Sequence, residues 1–146
     1  MTCEIEITVR GYHEDHFQHV NHARYLEFLE EGRWAYLERY DLLERLVRAK
    51  GVQLAAVRLL INYRRSSVAG DRLRVITGIH DVRSRKLIMR QRILDVDSGK
   101  LVVDAEVTIV LVDARTGRVM QIGDDVIGLW PDLARHPMNE PPGSES

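Results

Sequence analysis

The 146-residue sequence contains a single cysteine, Cys3, and no long apolar run. A disulfide within one chain is therefore impossible, and a reducing compartment, the cytoplasm, is the expected location. No stretch of about 18 apolar residues occurs, and no basic segment at the N-terminus leads into an apolar one. The sequence therefore predicts neither a membrane-spanning segment nor export.

An excess of charge of either sign is also missing. The 21 Lys and Arg residues are balanced by 22 Asp and Glu residues, which gives a net charge of −1 at pH 7. Proteins that hold nucleic acids through the phosphate backbone need clustered excess cation. The composition therefore argues against a nucleic-acid partner, and any basic site must be a local patch.

The length fits one domain, and no internal repeat or linker divides the chain. Three of the four prolines fall within residues 137–146, together with Gly and Ser and without an apolar pattern. Such a composition does not bury enough apolar surface to fold. We therefore predict one domain over residues 1–135 and a disordered tail over residues 136–146.

Hydrophobic periodicity predicts a strand, a long helix and then several antiparallel strands. Apolar residues alternate over residues 3–9, and the period becomes helical over residues 21–40. Four runs rich in Val, Ile and Leu follow, at about residues 53–65, 72–80, 86–96 and 101–112. Turns that contain glycine lie at residues 69–71, 97–99 and 113–117, so we expect consecutive strands to pair antiparallel. A short strand over residues 118–122 and a short helix over residues 124–134 complete the predicted domain.

The predicted long helix has one face suited to burial. Steps of three and four residues place on this face Tyr25, Leu26, Leu29, Gly32, Tyr36, Leu37 and Tyr40. An interior glycine costs helix stability, so Gly32 indicates a close approach to a packed surface. Residues 41–50 either extend this helix or form a second one. The predicted class is α+β, with an antiparallel sheet curled around one helix.

The connection between the first strand and the helix carries the most informative motif. Residues 12–28 read YHEDHFQHVNHARYLEF. This segment resembles the signature of the hotdog-fold acyl-CoA thioesterases related to 4-hydroxybenzoyl-CoA thioesterase, which is roughly D-x-D-x-x-G-H-V-N-N-x-x-Y-L-x-Y-x-E. Asp15 matches the second aspartate of the signature. His13 replaces the first aspartate, and Gln18 replaces the glycine.

The resemblance implies a hotdog fold and hydrolysis of acyl-CoA to a carboxylic acid and coenzyme A. It implies that Asp15 acts as nucleophile or general base and that His22 orients the carboxylate, the water or the leaving thiolate. It also implies a homodimer or homotetramer, because active sites in this family lie at subunit interfaces. No cofactor is expected.

The helix start offers a place for the negative charge that develops on a thioester carbonyl. Asn21 is a favourable N-cap residue, so unpaired amides near His22 and Ala23 would carry the positive end of the helix dipole. Asp15 lies a few residues upstream and could reach the same carbonyl carbon. His19 is expected to bond the backbone and brace the loop.

Five basic residues are candidates for contacts with the phosphates of coenzyme A, since guanidinium and ammonium groups pair well with phosphate oxygens. They are Arg64, Arg65, Arg83, Arg85 and Lys86. The family's basic stretch favours Arg83 and Arg85 among them. The alternative is a solvated strand edge that charge protects from aggregation.

Other interpretations remain open at this point. The spacing of three between His13, His16, His19 and His22 invites a zinc site, although the matching family positions work without metal. An acyl group on acyl carrier protein is the nearest alternative substrate. A non-catalytic module that binds acyl thioesters is the alternative of a different class.

Overall fold

A computed structural model describes residues 1–136, so the predicted tail lies outside the described residues from residue 137 onward. Five strands form one antiparallel sheet: β1 (Thr2–Thr8), β2 (Val52–Tyr63), β3 (Arg72–Val82), β4 (Leu87–Asp95) and β5 (Leu101–Asp113). The helices are α1 (His22–Arg39) and α2 (Asp124–Leu129), with a π-helical segment (Leu43–Arg48) and 3-10 turns at Gly11–His13 and Pro131–Arg135. No helix within residues 1–136 is long and apolar enough to cross a membrane.

The sheet order is β1-β3-β4-β5-β2. β3 and β4 pair as consecutive strands, and the β4–β5 hairpin agrees with the predicted turn at residues 97–99, but β2 pairs with β5 rather than with β3. The expectation that all consecutive strands pair is therefore wrong at the turn around Gly70. The reason is that β1 occupies the free edge of β3, from Thr2 opposite Gly78 to Thr8 opposite Arg72. The chain after β2, which is one edge strand, must therefore pass across the sheet to β3, which lies next to the opposite edge strand.

Helix α1 packs on β1 and β3 and, at fewer positions, on β4. Gly32 allows this packing, because a Cβ atom there would lie 2.7 Å from both Thr77 Oγ1 and Val75 Cγ1, well inside the usual contact distance of about 3.5–4.0 Å. The predicted close approach at Gly32 is confirmed. Leu26, expected on the buried face, is 38% exposed, whereas Phe28 is buried in its place.

Two short elements differ from the sequence predictions. Residues 118–122 form no strand, and only one isolated bridge joins Val119 to Val112. The final helix is interrupted, with α2 ending at Leu129 and a 3-10 turn starting at Pro131, because proline lacks the N–H that would continue the helix. After α1, Asp41 adopts a φ of 57° and breaks the helix, so the π-helical segment is a separate element.

A buried hydrogen-bond network ties the C-terminal segment to α1. Tyr36 Oη donates to Asp132 Oδ2 at 2.6 Å, and Trp130 Nε1 donates to Tyr36 Oη at 3.0 Å. All three side chains are at most 1% exposed. A polar group that is buried without a hydrogen-bond partner destabilises the folded state, because it loses its bonds to water and gains none. The Tyr36 hydroxyl supplies that partner to both Asp132 and Trp130.

We predict that Tyr36→Phe lowers the free energy of unfolding by about 2 kcal/mol, since it removes the hydroxyl that bonds both Asp132 Oδ2 and Trp130 Nε1. Tyr40→Phe is the matched control, because its hydroxyl bonds only the Thr2 carbonyl at the surface, and a smaller loss is expected. Urea denaturation measures both. Equal losses in the two variants would contradict the proposed importance of the buried network.

Candidate active site

The loop that carries Asp15 is a tight turn closed by its own backbone. Asp15 N–H donates to the His19 carbonyl at 3.1 Å, and Gln18 N–H donates to the Asp15 carbonyl at 3.0 Å. Gln18 has a φ of 62°, the left-handed conformation that suits the glycine of the family signature. The loop therefore bends as a glycine-containing loop would, at a cost on the order of 1–2 kcal/mol for the non-glycine residue.

The Asp15 carboxylate is partly buried and held by two donors. Oδ1 accepts from Phe17 N–H at 2.9 Å, and Oδ2 accepts from Asn21 Nδ2 at 3.2 Å. The other side-chain atom of Asn21, Oδ1, accepts from Ala23 N–H at 2.9 Å as the N-cap of α1. One side-chain amide therefore connects the candidate catalytic carboxylate to the first turn of the helix.

The first turn of α1 differs in one respect from the sequence expectation. Ala23 N–H is not an unpaired donor, because Asn21 Oδ1 already accepts from it. Within residues 1–136 the structure records no hydrogen-bond partner for His22 N–H, which makes this amide the remaining candidate for polarising a carbonyl.

Tyr63, at the end of β2, donates its hydroxyl to the His22 carbonyl at 3.2 Å and meets the exposed imidazole edge-on. Sequence reasoning did not place Tyr63 beside the helix start, because nothing local links positions 41 residues apart.

His13, which replaces the first aspartate of the signature, stabilises the loop through its side chain and its backbone. It is 8% exposed, and its Nδ1 accepts from Arg10 N–H at 2.8 Å. Its carbonyl accepts from Asn21 N–H at 3.0 Å, and its ring meets Phe28 edge-on. Burial lowers the pKa of His13, and the Arg24 cation lowers it further. The accepting Nδ1 and the lowered pKa both indicate a neutral imidazole.

The four histidines of this segment do not gather around a common point. His13 is buried, whereas the side chains of His16, His19 and His22 are exposed. In the part of the chain that the structure describes, no group of three or more His, Cys, Asp or Glu side chains is arranged to hold a metal ion. His19 interacts with Asp15 through its backbone, because its carbonyl accepts the hydrogen bond from Asp15 N–H.

Residues 9–128 match the family described as the thioesterase-like superfamily. The chain is also 39% identical over 119 residues to the long-chain acyl-CoA thioesterase FadM of Escherichia coli K12, across 82% of this chain and 89% of that protein. This chain belongs to the thioesterase-like superfamily. It is a hydrolase of the thioesterase type.

Solved structures support the fold of this thioesterase. The probable thioesterase YbaW from Escherichia coli superposes with a TM-score of 0.83 at 35% identity, covering 89% of this chain and 97% of that one. The 4-hydroxybenzoyl-CoA thioesterase from Pseudomonas sp. strain CBS-3 superposes with a TM-score of 0.77 at 18% identity, covering 88% and 98% of the two chains. The antiparallel sheet around α1 is a hotdog fold, and the predicted fold class is confirmed.

The thioesterase's five candidate basic residues fall into two groups. Arg64 and Arg65 follow β2 at the end of the sheet near Asp15, and Arg64 Nε already pairs with Asp104 Oδ2 at 2.7 Å. Hydrogen bonds from Asn62 and Arg64 hold the pKa of Asp104 below its ordinary value. Part of the hydrogen-bonding capacity of the Arg64 guanidinium is therefore already used by Asp104.

The second group lies in the β3–β4 turn and consists of Arg83, Arg85 and Lys86. The Asp15 loop is bound to the segment before β3, since Val20 N–H donates to the Ser67 carbonyl at 2.9 Å. β3 is 11 residues long, so its two ends are about 33 Å apart. Within one copy of the chain, the structure does not bring this turn together with Asp15.

We predict that the thioesterase loses stability on acidification through His13. Its pKa in the folded state lies below the value of about 6.5 in the unfolded chain, so the unfolded chain binds the proton more readily. This contribution is complete above about pH 6.5 and is lost as the pH falls below it. His13→Gln should flatten the pH dependence of the urea unfolding free energy between about pH 8 and 5.5.

The control for this prediction is His16→Gln, which alters an exposed imidazole on the same loop. It should keep the pH dependence of the wild type. An unchanged slope in the His13 variant would show that this imidazole is not responsible.

Proposed function

We propose that this thioesterase hydrolyses acyl-CoA thioesters to a carboxylic acid and coenzyme A, with Asp15 as nucleophile or general base. The observation that carries the proposal is the double contact of Asn21, whose side chain bonds both the Asp15 carboxylate and the first turn of α1. A carboxylate and a helix N-terminus are thereby held side by side. The 39% identity to a protein named long-chain acyl-CoA thioesterase supports the acyl-CoA class of substrate.

The proposed chemistry uses the two features in different ways. A thioester carbonyl set at the start of α1 would receive the His22 N–H and the positive end of the helix dipole, which stabilise the oxygen as it gains charge. Asp15 would either attack the carbonyl carbon, displacing the CoA thiolate, or take a proton from an attacking water. The bonds from Phe17 N–H and Asn21 Nδ2 hold the carboxylate in one orientation. The exposed His22 imidazole stands where it could meet the leaving thiolate or the water.

We predict that Asp15→Asn lowers kcat for acyl-CoA hydrolysis by about a hundredfold or more while leaving binding of a substrate analogue intact. The asparagine Oδ1 can still accept from Phe17 N–H, so the turn should persist. Glu27→Gln makes the same chemical change at an exposed position of α1 and should keep kcat within a few-fold of the wild type. A folded Asp15→Asn enzyme with near-normal kcat would remove Asp15 from the mechanism.

We also propose that a second copy of the chain pairs along β2, the edge strand of the sheet. The exposed fractions there are 58% for Val57, 40% for Leu59 and 48% for Leu60. An exposed apolar edge strand presents unpaired backbone groups as well as apolar surface, so it favours strand pairing with another chain. A two-fold axis would make that pairing antiparallel and continue the sheet into the second copy.

Such pairing would change which basic residues approach Asp15. Antiparallel β2 strands set the Tyr63 end of one copy beside the Val52 end of the other. The β3–β4 turn lies at the Val52 end of its own sheet. Three strand spacings, about 14 Å, would then separate that turn laterally from the neighbouring β2. Arg83, Arg85 and Lys86 are therefore proposed to contact coenzyme A phosphates across the interface.

Mixed assemblies test this arrangement. Dimers of Asp15→Asn chains and dimers of Arg83→Glu/Arg85→Glu chains should each hydrolyse acyl-CoA poorly at low substrate concentration. Coexpression in equal amounts should restore about a quarter of the wild-type activity, because random pairing makes half of the dimers mixed and one of the two sites in each mixed dimer would be intact. Light scattering should give a multiple of 16.8 kDa. Activity no higher than the average of the two parents would place all contributions within one copy.

A further inference from the structure

Three hydrogen bonds form a continuous chain from Tyr63 to the Asp15 carboxylate. The Tyr63 hydroxyl donates to the His22 carbonyl at 3.2 Å. That carbonyl belongs to the same peptide group as Ala23 N–H, which donates to Asn21 Oδ1 at 2.9 Å. The amide nitrogen of the Asn21 side chain then donates to Asp15 Oδ2 at 3.2 Å. Two amide groups, one in the backbone and one in a side chain, therefore link a residue of the edge strand to the candidate catalytic carboxylate.

All three bonds of this chain point in the same direction. In each amide group the carbonyl oxygen accepts a bond and the N–H donates the next one, so a donor at the start of the chain polarises every group that follows. The chain ends on a carboxylate, which makes the stronger, charge-assisted kind of hydrogen bond. The Tyr63 hydroxyl therefore strengthens the bond between Asn21 and Asp15 and helps to fix the orientation of the carboxylate.

The position of the Tyr63 hydroxyl is set by the sheet and by a buried neighbour. Tyr63 lies opposite Val103 of β5, and the following backbone N–H, that of Arg64, donates to the Val102 carbonyl at 2.8 Å. The Tyr63 ring packs against the ring of Tyr25, whose centroid is 5.8 Å away, and Tyr25 is only 3% exposed. The hydroxyl is thus held by a rigid part of the fold, as a group that orients another residue must be.

We propose that Tyr63 is a positioning residue for hydrolysis, which acts on Asp15 through the His22–Ala23 peptide and the Asn21 side chain. A tyrosine hydroxyl has one proton to donate, and the His22 carbonyl receives it. The hydroxyl therefore does not donate to a substrate at the same time, and its effect on the reaction passes through the residues that it holds. This inference rests on the proposed role of Asp15 in acyl-CoA hydrolysis.

The first test removes the hydroxyl and keeps the ring. Tyr63→Phe should lower kcat for acyl-CoA by about three- to tenfold, the scale of one hydrogen bond, and should leave KM within about twofold. Tyr40→Phe is the matched control, because the Tyr40 hydroxyl also donates to a backbone carbonyl, that of Thr2, at 3.2 Å. Tyr40 follows the other end of α1, so this variant should keep the wild-type kcat and KM.

A double-mutant cycle tests whether the effect passes through Asn21. Asn21→Ser removes the amide nitrogen that bonds Asp15, while serine remains a good N-cap for α1. In that background Tyr63→Phe should change kcat by less than about 1.5-fold, because the chain to the carboxylate is already broken. The same loss of kcat in both backgrounds would show that the two residues act independently, and it would overturn the proposal.

Nuclear magnetic resonance tests the chain without turnover. The Asn21 side-chain proton that is bonded to Asp15 should move upfield in Tyr63→Phe, because its hydrogen bond weakens. The same proton should keep its chemical shift in Tyr40→Phe. An unchanged chemical shift in Tyr63→Phe would contradict a link between the hydroxyl and the Asn21 amide.

The outcomes distinguish this inference from the proposed function. Wild-type kcat in Tyr63→Phe, beside an impaired Asp15→Asn enzyme, would overturn the role of Tyr63 and leave the role of Asp15 intact. A raised KM with unchanged kcat would place Tyr63 in substrate binding and would also overturn the positioning role. Failure of the wild type to hydrolyse any acyl-CoA would instead reject the proposed function.

Discussion

The close approach of α1 to the sheet at Gly32 is the constraint on which the position of the candidate site depends. With Thr77 Oγ1 and Val75 Cγ1 at 2.7 Å from a hypothetical Cβ, only glycine lets the helix lie this low on β3. Seated there, α1 packs toward β1, β3 and β4. Its N-terminus reaches the Asp15 loop at one end, and the part of the same sheet face near β5 and β2 is left for the π-helical segment and an apolar cavity of about 480 Å³ between them.

The candidate site is built from short hydrogen bonds within one loop and one helix start. Asn21 uses its amide nitrogen for Asp15 and its amide oxygen for Ala23, so the carboxylate and the helix cap hold each other in place. Beneath them, a neutral His13 replaces a second acidic side chain and accepts from Arg10 N–H. The loop thereby gains a buried acceptor without a further negative charge near Asp15.

The edge strand β2 links the proposed assembly with the proposed substrate recognition. Its exposed apolar residues offer a pairing surface, its Tyr63 end contacts the start of α1, and its opposite end borders the cavity. In one copy these two ends are separated by the length of the strand. Antiparallel pairing would set each beside the other in a neighbouring copy, which would give the Asp15 carboxylate, the basic β3–β4 turn and the apolar cavity one common location.

The sequence alone predicted the elements whose determinants are local. Alternation marked the strands, the three-to-four spacing marked α1, and Asn21 marked the helix start, because each pattern follows from the geometry of a single segment. The motif likewise singled out Asp15, and Gly32 indicated a close contact but not the residues that it contacts.

Tertiary structure decided the rest. Strand order depended on β1 taking the edge of β3, the exposure of Leu26 and burial of Phe28 depended on how the helix is seated, and Tyr63 met His22 only through folding. Within one copy, Arg83 and Arg85 lie at the end of the sheet opposite Asp15, because spacing along a chain does not determine distance in space.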